Sequence, residues 1–156
     1  MSWTHLHLLL NHIPVLGSVF GLLLLVVAMM RRSAELKKVS LGVFIIAALF
    51  AIPVYLTGNL AENAVENLPG VSESIVDQHQ QWALISLAAV GVLGLFALGG
   101  LWLSRRSRAL PTWIVTMSLI FSLTIGGLMV WTANLGGQIR HTEIRAELQS
   151  PASPDD

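Results

Sequence analysis

The histidines are the residues of this sequence best suited to chemistry. There are five, at His5, His7, His12, His79 and His141. Imidazole ligates iron, zinc and copper, and two imidazoles on facing helices of a bundle can hold a haem. The sequence has no cysteine, which excludes c-type haem attachment, thiolate metal sites and cysteine nucleophiles. The question is therefore which elements bring the histidines together, and around what.

Long apolar stretches are the elements that must position these side chains. The chain is 54% hydrophobic and only 12% charged, which is far from the composition of an average soluble domain. Each stretch is long enough to cross the roughly 30 Å of bilayer hydrocarbon as a helix. The sequence predicts an all-α, transmembrane four-helix bundle over residues 1–148 and a disordered tail over 149–156. The predicted spans are 6–30, 39–57, 82–103 and 111–133.

Basic residues predict how the bundle is oriented. Seven of the nine lysines and arginines lie in the connections between spans one and two and between spans three and four. By the positive-inside rule these connections are cytoplasmic, so both termini lie on the outer side. The zero net charge gives no indication of nucleic-acid binding.

Threading the chain in this way places every histidine at or near the outer face. His12 is the deepest, and an ionisable side chain inside a membrane is functional by default. His7 and His12 are five residues apart, about 140° around a helix, so an undistorted helix cannot direct both to one metal. We expect His12 to pair with His79 and His7 with His141. His5, at a fraying terminus, is the expected bystander.

The predicted site is therefore a haem site, holding one or two b-type haems. His7, His12, His79 and His141 are the expected axial ligands, and Arg140 is expected to neutralise a propionate. The pair Gly136-Gly137 would let a flat group approach the backbone closely. A weak internal echo, Thr57-Gly-Asn-Leu and Thr132-Ala-Asn-Leu, suggests two helical hairpins of related plan.

Two alternatives remain open. The same histidines, helped by Glu62, Glu66 or Glu143, would also suit Zn²⁺ or Cu²⁺ at the outer face. The second alternative is a structural or assembly subunit whose histidines are incidental to its role. No nucleophile–base pair, phosphate loop or acid pair stands out, so an electron-transfer protein or subunit is expected rather than an enzyme.

The opening His7-x4-His12-Ile-Pro14 resembles the His-x4-His-Phe-Pro start of a family of bacterial four-helix membrane proteins, catalogued as a domain of unknown function. Ile13 stands where that family has Phe. The resemblance extends to Thr57-Gly58, to His79, and to Gly136-Gly137 with His141. It implies a multi-pass protein of the bacterial inner membrane with a redox or haem function. The layout is also similar to four-helix membrane b-type cytochromes, although those usually place haems on both sides of the bilayer.

These expectations combine into a functional hypothesis. The protein is expected to pass electrons between a periplasmic redox protein, such as a c-type cytochrome, and either the membrane quinone pool or another subunit of a respiratory complex. The protein is expected to be surrounded by membrane lipid. Whether it forms a homodimer is left open. A quinone site is also left open, with Asn59, Asn134 and Gln138 as its candidate hydrogen-bonding side chains.

Overall fold

The computed structural model describes residues 2–66, 68–107 and 110–141. These residues form helices, turns and connecting loops, with no strand among them. Four stretches are long enough and apolar enough to cross a membrane: Trp3–Met30, Ala34–Glu62, Glu73–Arg105 and Thr112–Ile139. The helices are α1 (Trp3–Leu10), α2 (His12–Met30), α3 (Ala34–Glu66), α4 (Glu73–Ser107) and α5 (Thr112–Arg140).

The first membrane-length stretch is divided into α1 and α2 at Asn11. Asn11 keeps right-handed helical angles, φ −60° and ψ −26°, so the chain continues in nearly the same direction. Pro14, which is buried, has no N–H to donate to the carbonyl of Leu10, and this loosens the helix one turn before the proline. α1 and α2 therefore form one span that is interrupted at Asn11, and His7 lies on the short segment before the interruption.

The long helices pack as a closed ring in the order α2, α3, α4, α5, with α5 returning to α2. α1 continues the first span and lies against α3. Small residues allow close approach: a Cβ added at Gly17 would lie 3.3 Å from the Cβ of Ala47, and one at Gly21 would lie 2.6 Å from the Phe44 ring. Residue numbers rise along α2 as they fall along α3 in these two contacts, so the neighbouring helices run antiparallel.

The bundle buries a narrow apolar interior and leaves a wide apolar exterior. Phe44, Leu25 and Leu93 lie at the centre with no solvent exposure. Only 28–33% of the most apolar part of each membrane-length helix is buried inside the protein. Leu16, Leu49 and Leu95 are among many large apolar side chains that point outward. Such an exterior needs an apolar surrounding, which agrees with a multi-pass membrane protein.

Three helices continue well beyond the spans expected from the sequence. α3 runs past residue 57 to Glu66, α4 begins at Glu73, before residue 82, and α5 runs past residue 133 to Arg140. The turn between α3 and α4 includes Pro69 and Gly70, and Gly70 has a positive φ of 82° that glycine adopts without steric cost. His7, the end of α3, His79 and the end of α5 all lie at this end of the bundle, opposite the arginine-containing connections.

Candidate functional site

Two histidines from different helices meet at this end of the bundle. The ring centres of His7 and His79 are 6.4 Å apart, and the ring planes are nearly perpendicular, at 88°. Both side chains are partly buried. His7 comes from α1 and His79 from α4, so each half of the chain contributes one imidazole.

The His7 ring is anchored on α3. Its Nδ1 is 2.9 Å from the carbonyl oxygen of Val54. Gly58, one turn further along α3, leaves space for the ring, because a Cβ there would lie 3.0 Å from Cε1 and 3.1 Å from Nδ1 of His7. The imidazole edge therefore rests directly on the backbone of the neighbouring helix.

The His79 ring is anchored on α5 in the same way. Its Nδ1 is 3.0 Å from the carbonyl oxygen of Thr132. Gly136 again lies one turn further on, and a Cβ there would be 3.0 Å from Cε1 and 3.4 Å from Nδ1 of His79. The flat group that approaches the glycine backbone is thus an imidazole. This repeat aligns Gly58 with Gly136, whereas the echo in the sequence would align Gly58 with Ala133.

The two carbonyl contacts determine the tautomer of both rings. A carbonyl oxygen only accepts hydrogen bonds, so Nδ1 of each neutral imidazole carries the hydrogen and donates it. The Nε2 lone pair is then left on the other side of the ring, where it can bind a metal. A Cβ at Gly58 would be 3.9 Å from Nε2 of His7 but 3.1 Å from its Nδ1, so Nε2 is the nitrogen that lies farther from Gly58.

Hydroxyl groups surround the two carbonyl contacts differently. The Thr57 hydroxyl lies 2.8 Å from the Pro53 oxygen and 3.0 Å from the Val54 oxygen, so the acceptor of His7 is shared. The Thr132 hydroxyl instead donates to the Leu128 oxygen at 2.9 Å and lies 2.9 Å from the Ser86 hydroxyl. The two imidazoles therefore have the same kind of acceptor but unequal competition for it.

The remaining predicted histidines lie elsewhere. His12 is exposed, and its Nδ1 is 3.0 Å from the Leu8 oxygen of the same span. His141 is exposed immediately after α5, and its N–H donates to the Gly137 oxygen. The ring contact thus joins His79 to His7, not to His12 as expected from the sequence, because His12 points out of the bundle.

Several other expectations fall outside what the structure describes. Arg140 is the last residue of α5, and its expected propionate contact concerns a side chain beyond the described part. Glu143 and the tail 149–156 also lie outside the described residues.

The candidate side chains of a quinone site are described by the structure. Asn134 is exposed, with its Oδ1 2.6 Å from Nε2 of Gln138. Asn59 is exposed beside Gly58.

No family model matches this chain, and no curated protein or solved structure matches it.

Acidic side chains lie beyond the histidine pair, on the turn side of the site. The pKa of Glu66 is raised by partial desolvation and by the nearby charges of Glu62, Glu73 and Asp77. These carboxylates form a negative patch at the ends of α3 and α4. Within residues 2–66, 68–107 and 110–141, no three histidine, aspartate or glutamate side chains gather as a metal-binding group.

The sequence indicated some parts of this site but not others. His7, His79 and Gly136 were singled out by residue type. Val54 and Thr132 contribute backbone carbonyls, which any residue supplies, so no side-chain pattern marks them. Thr57-Gly58 was noted only as a matched motif, and its part in seating the His7 ring follows from the packing of α1 against α3.

Proposed function

We propose that this protein is a membrane b-type cytochrome that binds one haem between His7 and His79 and transfers electrons at the outer face of the membrane. The observation that carries this proposal is the 6.4 Å separation of the two imidazole centres.

The separation matches two imidazoles on opposite sides of one metal ion. A metal–nitrogen bond of about 2.0–2.1 Å plus about 1.1 Å within the ring puts the ring centre about 3.2 Å from the metal. Two such rings in trans would have centres about 6.4 Å apart, and two rings at a tetrahedral angle about 5.2 Å apart. The observed 6.4 Å leaves room for one metal ion between the rings, so His7 and His79 are the residues that would hold a haem.

The hydrogen bonds of the two rings support the same conclusion. Axial ligation needs neutral imidazoles whose second nitrogen is held by an acceptor, and the Val54 and Thr132 carbonyls supply that acceptor. A haem bound there would supply one-electron oxidation and reduction. The contribution of the chain is to orient both imidazoles, set their basicity and surround the group with apolar helices.

Metal binding without porphyrin is the second candidate. Tetrahedral zinc would draw the two rings closer than 6.4 Å and would need further ligands. A copper ion bound linearly by the two imidazoles accepts the observed separation equally well. Elemental analysis of the purified protein separates the cases, because haem gives iron with a visible spectrum and copper gives neither.

The proposed redox partner follows from the proposed orientation of the bundle. By the positive-inside rule, the basic connections favour an outer, periplasmic position for the histidine end of the bundle in a bacterial inner membrane. The negative patch of Glu62, Glu66, Glu73 and Asp77 lies at this end, and it would attract a soluble redox protein with a basic surface, such as a c-type cytochrome. Electrons would pass between that partner and the quinone pool or another subunit.

The test is the visible spectrum of the protein and of single-histidine variants. We expect about one haem per chain and a low-spin spectrum on dithionite reduction. His7→Ala and His79→Ala should each lose the low-spin bands, because each removes one axial ligand. His12→Ala should keep them, since its ring faces away from the pair. A colourless protein from haem-replete cells, or loss of the bands in His12→Ala alone, would contradict the proposal.

A further inference from the structure

The two imidazoles of the site lie at right angles, and the same structural arrangement holds each of them in its half of the chain. In each half of the chain a histidine donates Nδ1–H to a carbonyl of the neighbouring helix, and a glycine four residues after that carbonyl accommodates the ring edge. The resulting angle between the ring planes is 88°. A lone hydrogen bond would let a ring pivot about it, and the space that the glycine leaves lets the ring edge lie close to the helix backbone beside that bond.

We propose that Gly58 and Gly136 are positioning residues that hold the two axial imidazole planes perpendicular across the metal. The proposal rests on the haem-binding function proposed above, and it goes beyond it by assigning the ligand orientation and the residues responsible for it.

The glycines are suited to this role by the space they leave. A Cβ at Gly136 would lie 3.0 Å from Cε1 of His79, closer than nearly all real Cβ contacts, and the Cβ at Gly58 would lie equally close to Cε1 of His7. The carbonyl and the glycine lie on one helix and meet the same edge of the ring, so an added Cβ would force the ring to turn or to lengthen its hydrogen bond. Gly137, the next residue, has nothing within 4 Å of an added Cβ.

The orientation has a spectroscopic consequence that packing alone does not produce. Imidazole π orbitals interact with the iron d orbitals that lie perpendicular to each ring plane. Parallel rings act on the same d orbital and separate it from its partner, which gives a rhombic ferric EPR signal. Perpendicular rings act on both orbitals equally and leave them nearly degenerate, which gives a strongly anisotropic low-spin signal with a large maximum g value.

The first experiment is EPR of the wild-type ferric protein in detergent. We expect the strongly anisotropic low-spin signal. A rhombic signal from a protein that contains haem would overturn the proposed ligand orientation while leaving haem binding intact. A protein without haem would instead overturn the proposed function, so the two failures are distinguishable.

The second experiment compares Gly136→Ala with Gly137→Ala, two identical changes at adjacent positions. Gly136→Ala should shift the maximum g value if the His79 ring turns, and the midpoint potential whether the ring turns or its hydrogen bond lengthens. Gly137→Ala should leave both at their wild-type values. Equal shifts in the two variants, or none in Gly136→Ala, would overturn the positioning role. Gly58→Ala provides an independent variant acting on His7 if Gly136→Ala does not fold.

A third measurement needs no haem. Nitrogen-15 NMR of the haem-free protein, labelled at histidine, should show the Nδ1–H tautomer at His7 and His79. In Gly136→Ala the His79 resonances should move toward those of a weaker hydrogen bond, with the His7 resonances unchanged. Unchanged His79 resonances in this variant would show that Gly136 does not position the ring.

Discussion

At the scale of single residues, the two proposed ligands are equal in type but not in surroundings. The Val54 oxygen accepts from His7 at 2.9 Å and also lies 3.0 Å from the Thr57 hydroxyl. The Thr132 oxygen accepts from His79 at 3.0 Å. A shared acceptor is a weaker acceptor for each donor, so the His7 hydrogen bond is expected to be the weaker of the two.

Thr57→Val tests this inequality. The substitution keeps the side-chain shape and removes the hydroxyl that competes for the Val54 oxygen. The His7 hydrogen bond should strengthen, the imidazole should donate more electron density to the iron, and the oxidised iron should be stabilised, so the midpoint potential should fall. Redox titration in detergent measures the change.

Thr124→Val is the matched control for that titration. The Thr124 hydroxyl also bonds a carbonyl of its own helix, that of Ile120 at 3.2 Å, but it is exposed and far from the histidine pair. The midpoint potential of Thr124→Val should equal that of the wild type. A rise in potential in Thr57→Val, or an equal fall in both variants, would contradict the argument.

At the scale of helices, small residues determine how closely the spans approach. Gly94 on α4 faces Ala48 on α3, and a Cβ added at Gly94 would lie 2.5 Å from the Cβ of Ala48. Gly91, one turn earlier on the same helix, has nothing within 4 Å of an added Cβ. Close approach at glycine and alanine is a general basis of helix association in membranes.

Gly94→Ala should therefore destabilise the bundle, whereas Gly91→Ala should not. Overpacking of this kind costs about 1–3 kcal/mol, because α3 and α4 must move apart. At Gly91 the better helix propensity of alanine, worth up to about 1 kcal/mol, is the main expected effect. Unfolding in mixed detergent micelles containing dodecyl sulfate measures both. Equal stability of the two variants would show that the Gly94 contact does not limit packing.

At the scale of the whole molecule, the site is assembled from the two halves of the chain. The first half supplies His7, seated on α3, and the second supplies His79, seated on α5. The ring of helices brings the two halves together at the end opposite the arginine-containing connections. Function at the outer face therefore depends on the proposed orientation of the whole bundle.

Cysteine labelling tests that orientation, since the native chain has no cysteine. Ser74→Cys, near the start of α4, should react with a membrane-impermeant maleimide added to intact cells. Ala34→Cys, at the start of α3, should react only after the membrane is opened. Both positions are exposed in the structure, so a difference in labelling reports the side of the membrane rather than burial. The reverse pattern would place the histidine pair on the cytoplasmic side.

The sequence by itself determined the helical class and the end of the bundle at which the histidines lie. Uncharged stretches of sufficient length favour spanning helices, because backbone polar groups in lipid must be paired within the helix. The positions of the histidines relative to those stretches place them near one end, whatever the packing. Helical geometry also predicted that His7 and His12 face different directions, and the structure has His12 exposed and His7 against α3.

Only the tertiary structure decided which histidines meet. The expected partner of His79 was His12, but the rotation of the first span about its axis turns His7 inward instead. That rotation is set by contacts between distant residues, such as Gly21 with Phe44 and Gly17 with Ala47, and local spacing carries no information about it. The carbonyls of Val54 and Thr132 are likewise invisible in sequence, because every residue has one and packing alone selects those that accept a hydrogen bond from an imidazole.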